Sequence, residues 1–167
     1  MIAGVLKESG GEKRVALLPG ETAAVIKLGL KVVVEEGAGA GAFSNDEEYR
    51  SAGASVASRK DVISGAALLF SVNPPVTDDL SLFREGQILF TVLDPTGNRD
   101  WLERARNRGL TVLALDLVPR ITRAQSMDIL SSMATVAGYK AVLEAASMLP
   151  RFFPMFMSAA GTIKPAR

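Results

Sequence analysis

The sequence predicts an α/β fold: a doubly wound, mostly parallel sheet with a long C-terminal bridging helix. Three observations predict it. Short, near-continuous apolar runs recur along the chain, as in strands buried on both faces. Helical stretches alternate with them, so successive βα units wind right-handedly into one sheet. A far longer small-residue and apolar stretch follows the last of these units.

The elements come in order. Residues 2–6 are the first strand, and a Gly-rich charged loop over 9–14 follows it. Residues 21–28 read as a helix that Gly29 stops. The β-branched run 31–35 is the next strand, and 37–41 is a loop. A short helix over 46–52 ends at Gly53. Residues 66–72 form a buried strand closed by Asn73-Pro74-Pro75, then 78–83 a short helix. Residues 87–93 form a strand ending at Asp94-Pro95-Thr96-Gly97, and 98–108 a helix stopped by Gly109. A strand over 110–115 completes the series. The final helix spans 126–149, and Pro150 ends it. Ala134, Ala137, Gly138, Ala141, Ala145 and Ala146 keep one of its surfaces small enough for close packing. Residues 152–157 are the most apolar in the chain and read as core or interdomain packing. The domain reading is a first lobe over 1–125, a bridging helix over 126–150, and the start of a further lobe over 151–167.

Composition narrows the chemistry. The chain has 167 residues, long enough for a substantial core. It is 48% hydrophobic and 22% charged, as in a soluble globular protein. A net charge of +1 gives no electrostatic case for nucleic acid or an acidic membrane surface. There is no cysteine and no histidine. Disulfides, thiol nucleophiles, Cys/His zinc sites and histidine acid–base catalysis are therefore excluded within these residues. The absence of cysteine fits a cytosolic setting. The N-terminus is charged too soon for a signal peptide. The stretch 130–149 carries Lys140 and Glu144 and reads as a soluble helix rather than a membrane span.

Three places could carry chemistry. Lys7, Glu8 and Arg14 lie on the loop after the first strand, where a guanidinium fork could hold a carboxylate or phosphate. On spacing alone a solvated surface loop is the better reading. Gly37-Ala38-Gly39-Ala40-Gly41 lacks the Gly-x-Gly-x-x-Gly pattern and a helix opening directly from it, so it reads as a turn. The third place is the opening of the long helix, where Arg120, Gln125, Asp128 and Ser131 follow at intervals of five, three and three. Arginine offers donors, aspartate accepts from a carboxamide or fixes an arginine, and glutamine does both. The same residues fit plain helix-entry chemistry, with Thr122 as cap and Ser126 and Asp128 in the first turn. Spacing leaves both readings open.

The residues 119–139 and 153–167 closely resemble the NAD(H)-binding alpha subunit of proton-translocating NAD(P) transhydrogenases. Lys7-Glu8, the run from Glu12 through Arg14 to Pro19, and Glu35-Glu36-Gly37-Ala38-Gly39 resemble the N-terminal region that this family shares with alanine dehydrogenases. The resemblance implies a flavodoxin-like or Rossmann-like first lobe, followed by a separate Rossmann lobe, with NAD(H) in the cleft between the two. It implies hydride transfer from NADH to NADP⁺, which a separate beta subunit holds together with a membrane domain that passes protons. It implies a homodimer on the cytoplasmic side of the inner membrane, with no metal and no nucleic-acid partner. By position, Arg120, Asp128 and Ser131 hold the nicotinamide end, and Gln125 reaches toward the NADP(H)-binding partner. Arg120, Gln125 and Asp128 are thus the expected catalytic set. Alanine dehydrogenases carry a lysine near Asn73 and a histidine near Leu93 or Asp94, and neither is present. Amino-acid oxidation and a non-catalytic interaction module remain the alternative readings.

Overall fold

The computed structural model describes residues 1–165. They fall into two compact units, Met1–Val118 and a second that begins at Pro119.

The first unit is built on six strands: β1 (Ile2–Val5), β2 (Lys31–Glu35), β3 (Ser55–Ala57), β4 (Leu68–Phe70), β5 (Ile88–Thr91) and β6 (Thr111–Ala114). All five pairings are parallel, in the order β3-β2-β1-β4-β5-β6. The sheet grows outward from β1 to β3, returns, and grows the other way from β4 to β6. This is the doubly wound Rossmann-type order rather than the flavodoxin-like one. β1 is central, with Ala3 opposite both Val32 and Leu68.

Alternation along the strands gives each face its own core. On one face Ala3, Val5, Val32 and Val34 pack with Tyr49 of α2 (Asp46–Ser51), and Val25 and Ile26 of α1 (Pro19–Lys27) pack against them. On the other, Leu6, Leu69 and Leu89 pack with Val62 and Ile63 of α3 (Arg59–Gly65) and Trp101 and Ala105 of α4 (Arg99–Asn107). Helices therefore cover both faces, as near-continuous apolar strands require. Two buried polar groups are fastened to the backbone: the Tyr49 hydroxyl donates to the Leu17 carbonyl at 2.9 Å, and Trp101 Nε1 to that of Pro75 at 2.7 Å. Gly4 lets α3 lie directly on β1, because a Cβ there would sit 2.8 Å from Val62 Cγ1 and 2.9 Å from Ala66 Cβ.

Of the strands and α-helices of the first unit, two are absent from the sequence reading, β3 and α3. β3 has three residues and only one β-branched apolar side chain, too little for a strand signal. α3 does leave a signal. Ser58 accepts from the Asp61 amide at 3.3 Å and donates to the Asp61 carboxylate at 2.6 Å, a serine–acid capping pair ahead of Val62 and Ile63. The segment expected to be helical over 78–83 is a 3₁₀ turn, Thr77–Ser81.

In the second unit the long helix α5 runs Ile129–Met148, with a 3₁₀ turn at Thr122–Met127 before it. It starts three residues later than 126 because Asp128, not Thr122, is its N-cap. No residue of α5 is buried, and Met133, Val136, Tyr139, Val142 and Leu143 are exposed. Beyond it, β7 (Phe156–Ser158) and β8 (Gly161–Ile163) form an antiparallel hairpin. The apolar run 152–157 is not core among the described residues: Phe152, Phe153, Met155, Phe156 and Met157 are 42–75% exposed, and Phe152 stacks on Phe156 with centroids 5.4 Å apart. Of the segment 151–167, residues 166 and 167 lie outside the described ones.

Candidate functional site

The carboxyl edge of the sheet is where an open α/β fold places its ligands. Past β1, Glu8 turns toward the end of β4 and accepts from the Val72 amide at 2.6 Å and the Asn73 amide at 3.0 Å. Arg14 is held by Glu12 through two contacts, Nε to Oε1 at 3.0 Å and Nη2 to Oε2 at 2.7 Å. That guanidinium lowers the Glu12 carboxyl to about 2. The structure therefore brings Glu8 and Arg14 to one edge but gives both of them partners from the chain itself.

A second charged group at this edge escapes the sequence reading. Arg59, at the start of α3, bonds Glu35 at 2.7 Å, Asp79 at 2.6 Å and the Lys7 carbonyl at 3.0 Å. The side chains of Glu35 and Asp79 are only 11% and 12% exposed. Burial works against the guanidinium charge, but Asp79 and Glu35 outweigh it and raise the Arg59 pKa. The partners lie 24 and 20 residues from Arg59, so no local spacing announces them. Gly37–Gly39 is a turn that runs into a short 3₁₀ helix, Ala40–Ala42, and the Gly37 amide is taken by Asp46 Oδ1 at 2.9 Å.

The opening of α5 lies wholly in the second unit. Asp128 Oδ1 accepts from the Ser131 amide at 3.0 Å, and Oδ2 from the Ser131 hydroxyl at 2.6 Å. Two of the four expected site residues thus bind each other, with Asp128 serving as the helix's N-cap. The Ser131 hydroxyl and amide, then the charge of Arg120, lower the Asp128 pKa. Arg120 forms no ion pair among the described residues, and neither Arg120 nor Gln125 has a side-chain hydrogen bond there. Apart from the mutual contacts of Asp128 and Ser131, these side chains are left to solvent. Arg120 and Gln125 are thus open, and Asp128 is an ionised carboxylate whose remaining lone pairs can still accept. Among the described residues no group of three or more Asp, Glu, His or Cys side chains is placed to hold a metal ion. No described helix is long and apolar enough to cross a membrane.

Comparison with known proteins supplies the family. Residues 4–137 match the model of the alanine dehydrogenase/PNT N-terminal domain. The chain is 44% identical over 163 residues to the first part of the NAD(P) transhydrogenase alpha subunit of Rhodospirillum rubrum, covering 94% of this chain and 42% of that protein. A transhydrogenase structure from Sinorhizobium meliloti superposes with a TM-score of 0.92 at 42% identity, over 99% of this chain and 50% of that one. An L-alanine dehydrogenase structure superposes with a TM-score of 0.83 at 30% identity, over 99% of this chain and 46% of that one. The chain thus spans half or less of the length of these relatives. The transhydrogenases are the nearer of the two branches, and the chain belongs to the alanine dehydrogenase/PNT N-terminal domain family.

Proposed function

We propose that this chain is the first-lobe portion of the NAD(H)-binding alpha subunit of a proton-translocating NAD(P) transhydrogenase. In this reading residues 1–125 form the lobe, 126–150 the bridge, and 151–167 the entry to a dinucleotide-binding lobe. Arg120 and the Asp128–Ser131 pair hold the nicotinamide end of NAD(H), while Gln125 faces an NADP(H)-binding beta subunit. The assembly is a homodimer on the cytoplasmic side of the inner membrane, attached through its membrane-domain partner.

One observation carries the choice between the two branches. The ends of β4 and β5 carry neither the lysine nor the histidine that the alanine dehydrogenases are expected to place there. Asn73 stands past β4 with its amide on Glu8, and the Leu93 and Asp94 amides past β5 are taken by Asp116 at 2.8 and 2.9 Å. Oxidising an amino acid needs a group there to manage a proton. Direct hydride transfer between two nicotinamides does not; it needs orientation and water exclusion. The residues at the opening of α5 suit the cofactor's carboxamide: an open guanidinium can donate to its oxygen, and Asp128 retains lone pairs for its NH₂. The bound cofactor supplies the hydride, and this chain's residues fix its orientation.

The reading makes NADH affinity depend on the companion lobe, which holds the ribose and pyrophosphate. The 167-residue chain should bind NADH with a dissociation constant no better than about 1 mM, the level of a few hydrogen bonds net of association cost. A fluorescence titration checks this, and a micromolar constant for the chain alone would contradict it.

A further inference from the structure

Away from the carboxyl edge of the sheet, α4 gathers cations at its end. Arg104 stands in its last turn, and Arg108 is its C-cap, still right-handed at φ −87° and ψ −2°. Positions four apart are neighbours on one helix face, so both side chains leave α4 on the same side. Both line a surface groove of about 570 Å³ between α4 and the 3₁₀ turn Thr77–Ser81. Thr77, Asp78, Ser81 and Asn107 line it with them. The volume is that of a small-molecule site.

The polar groups of this groove are largely uncommitted. Among the described residues Arg104 and Arg108 form no ion pair, although Asp78 shares the groove. The side chains of Thr77, Asp78 and Asn107 make no hydrogen bond there either, and the Ser81 hydroxyl donates to the Asp78 carbonyl at 2.8 Å. Elsewhere in the first unit Arg14, Arg50 and Arg59 each meet a carboxylate. Like charges one turn apart repel, and here no carboxylate of the lobe bridges them. A tetrahedral anion would, because each guanidinium presents a planar fork that matches a pair of phosphate oxygens. The Thr77 hydroxyl and the Asn107 amide add neutral donors. The Asp78 carboxylate works against a bare polyanion and accepts from a hydroxyl or an ammonium group.

We propose that the groove between α4 and the Thr77–Ser81 turn is a binding site for a small phosphate monoester. Arg104 and Arg108 hold the phosphate, and Asp78 accepts from a hydroxyl or ammonium group beside it. The site lies within the first unit and does not rest on the transhydrogenase reading. The competing account is that these arginines serve only the negative end of the helix dipole. Arg106 separates the two accounts, since it shares the last turn of α4 and does not line the groove.

The probes are inorganic phosphate and phosphoethanolamine, titrated into the 167-residue chain. Phosphate should bind with a constant of about 1–10 mM and shift the Ser81 and Asn107 amide resonances saturably. Phosphoethanolamine should bind at least about threefold tighter, and chloride at matched ionic strength should give no saturable shift. Arg104→Gln and Arg108→Gln should each weaken phosphate about tenfold, the level of one lost charge-assisted bond. Arg104→Lys keeps the charge, loses the fork and should fall between. Arg106→Gln should stay within about twofold of wild type, its charge lying outside the groove. Asp78→Asn should tighten phosphate and abolish the preference for phosphoethanolamine. Shifts that do not saturate, an equal response to chloride, or equal weakening by Arg104→Gln and Arg106→Gln would each overturn the proposal. So would binding to vesicles of phosphatidic acid without binding of free phosphate.

Discussion

Arg120→Ala, made in the complete NAD-binding subunit and assayed with its NADP(H)-binding partner, is expected to slow hydride transfer by about ten- to a thousandfold. Each 1.4 kcal/mol of lost positioning costs about tenfold, and a misplaced ring loses near-attack geometry. The residue has no ion pair among the described residues, so its guanidinium is available to a ligand rather than tied into the fold. Fold stability should move by no more than about half a kcal/mol, as for exposed sites generally. Gln125→Asn should also slow transfer, but by a different route. On the proposed reading it shortens the carboxamide that faces the partner, so NADH affinity should hold while transfer and docking weaken. Arg120→Ala should weaken NADH binding as well. Affinity and single-turnover transfer measured on both variants separate the two effects. Wild-type rates in both would leave the segment as a helix entrance.

Arg59→Met should give the largest loss of stability from any single exchange at the sheet edge. It strands the carboxylates of Glu35 and Asp79, whose side chains are 11% and 12% exposed. Removing one partner of a buried ion pair costs about 3–5 kcal/mol, and the 27% exposure of Arg59 places this case at the low end. At a urea slope of about 1.5–2 kcal/mol per molar, the unfolding midpoint should fall by about 1.5–2 M without a change in slope. Arg50→Ala is the control. Its pair with Glu47 spans 3.3 Å between side chains that are 51% and 75% exposed, and such pairs contribute about 0–1 kcal/mol. Equal midpoint shifts in the two variants would contradict the assignment.

What can be read from the sequence follows how local each signal is. Five of the six strands of the parallel sheet announce themselves as apolar runs. Gly29, Gly53 and Gly109 do end their helices, each with positive φ. β3 escapes because an edge strand of three residues buries too little to leave an apolar run. The sequence reading takes Thr122 as the cap of α5 and places Asp128 in its first turn; the Ser131 amide on its carboxylate makes Asp128 the cap instead. The clamp of Glu8 on Val72 and Asn73, and the network around Arg59, join residues 20–65 positions apart, so periodicity and spacing carry no trace of them. Glu8 and Arg14 are visible as charges but not as charges already satisfied. The roles of Arg120, Gln125, Asp128 and Ser131 rest on the family resemblance. The geometry adds that the first two are open, while the last two are partly engaged with each other.

The central question is which oxidant meets the cofactor. The most direct measurement follows hydride transfer by the complete subunit with its NADP(H)-binding partner. NADH is supplied with an NADP⁺ analogue whose reduced form absorbs at a separate wavelength, and NAD⁺ is supplied with alanine in a parallel reaction. Rapid reduction of the analogue and no formation of NADH from alanine are the expected results, since the ends of β4 and β5 carry neither the lysine nor the histidine expected of an alanine dehydrogenase. Alanine-dependent NADH formation without transfer to the analogue would contradict the transhydrogenase assignment.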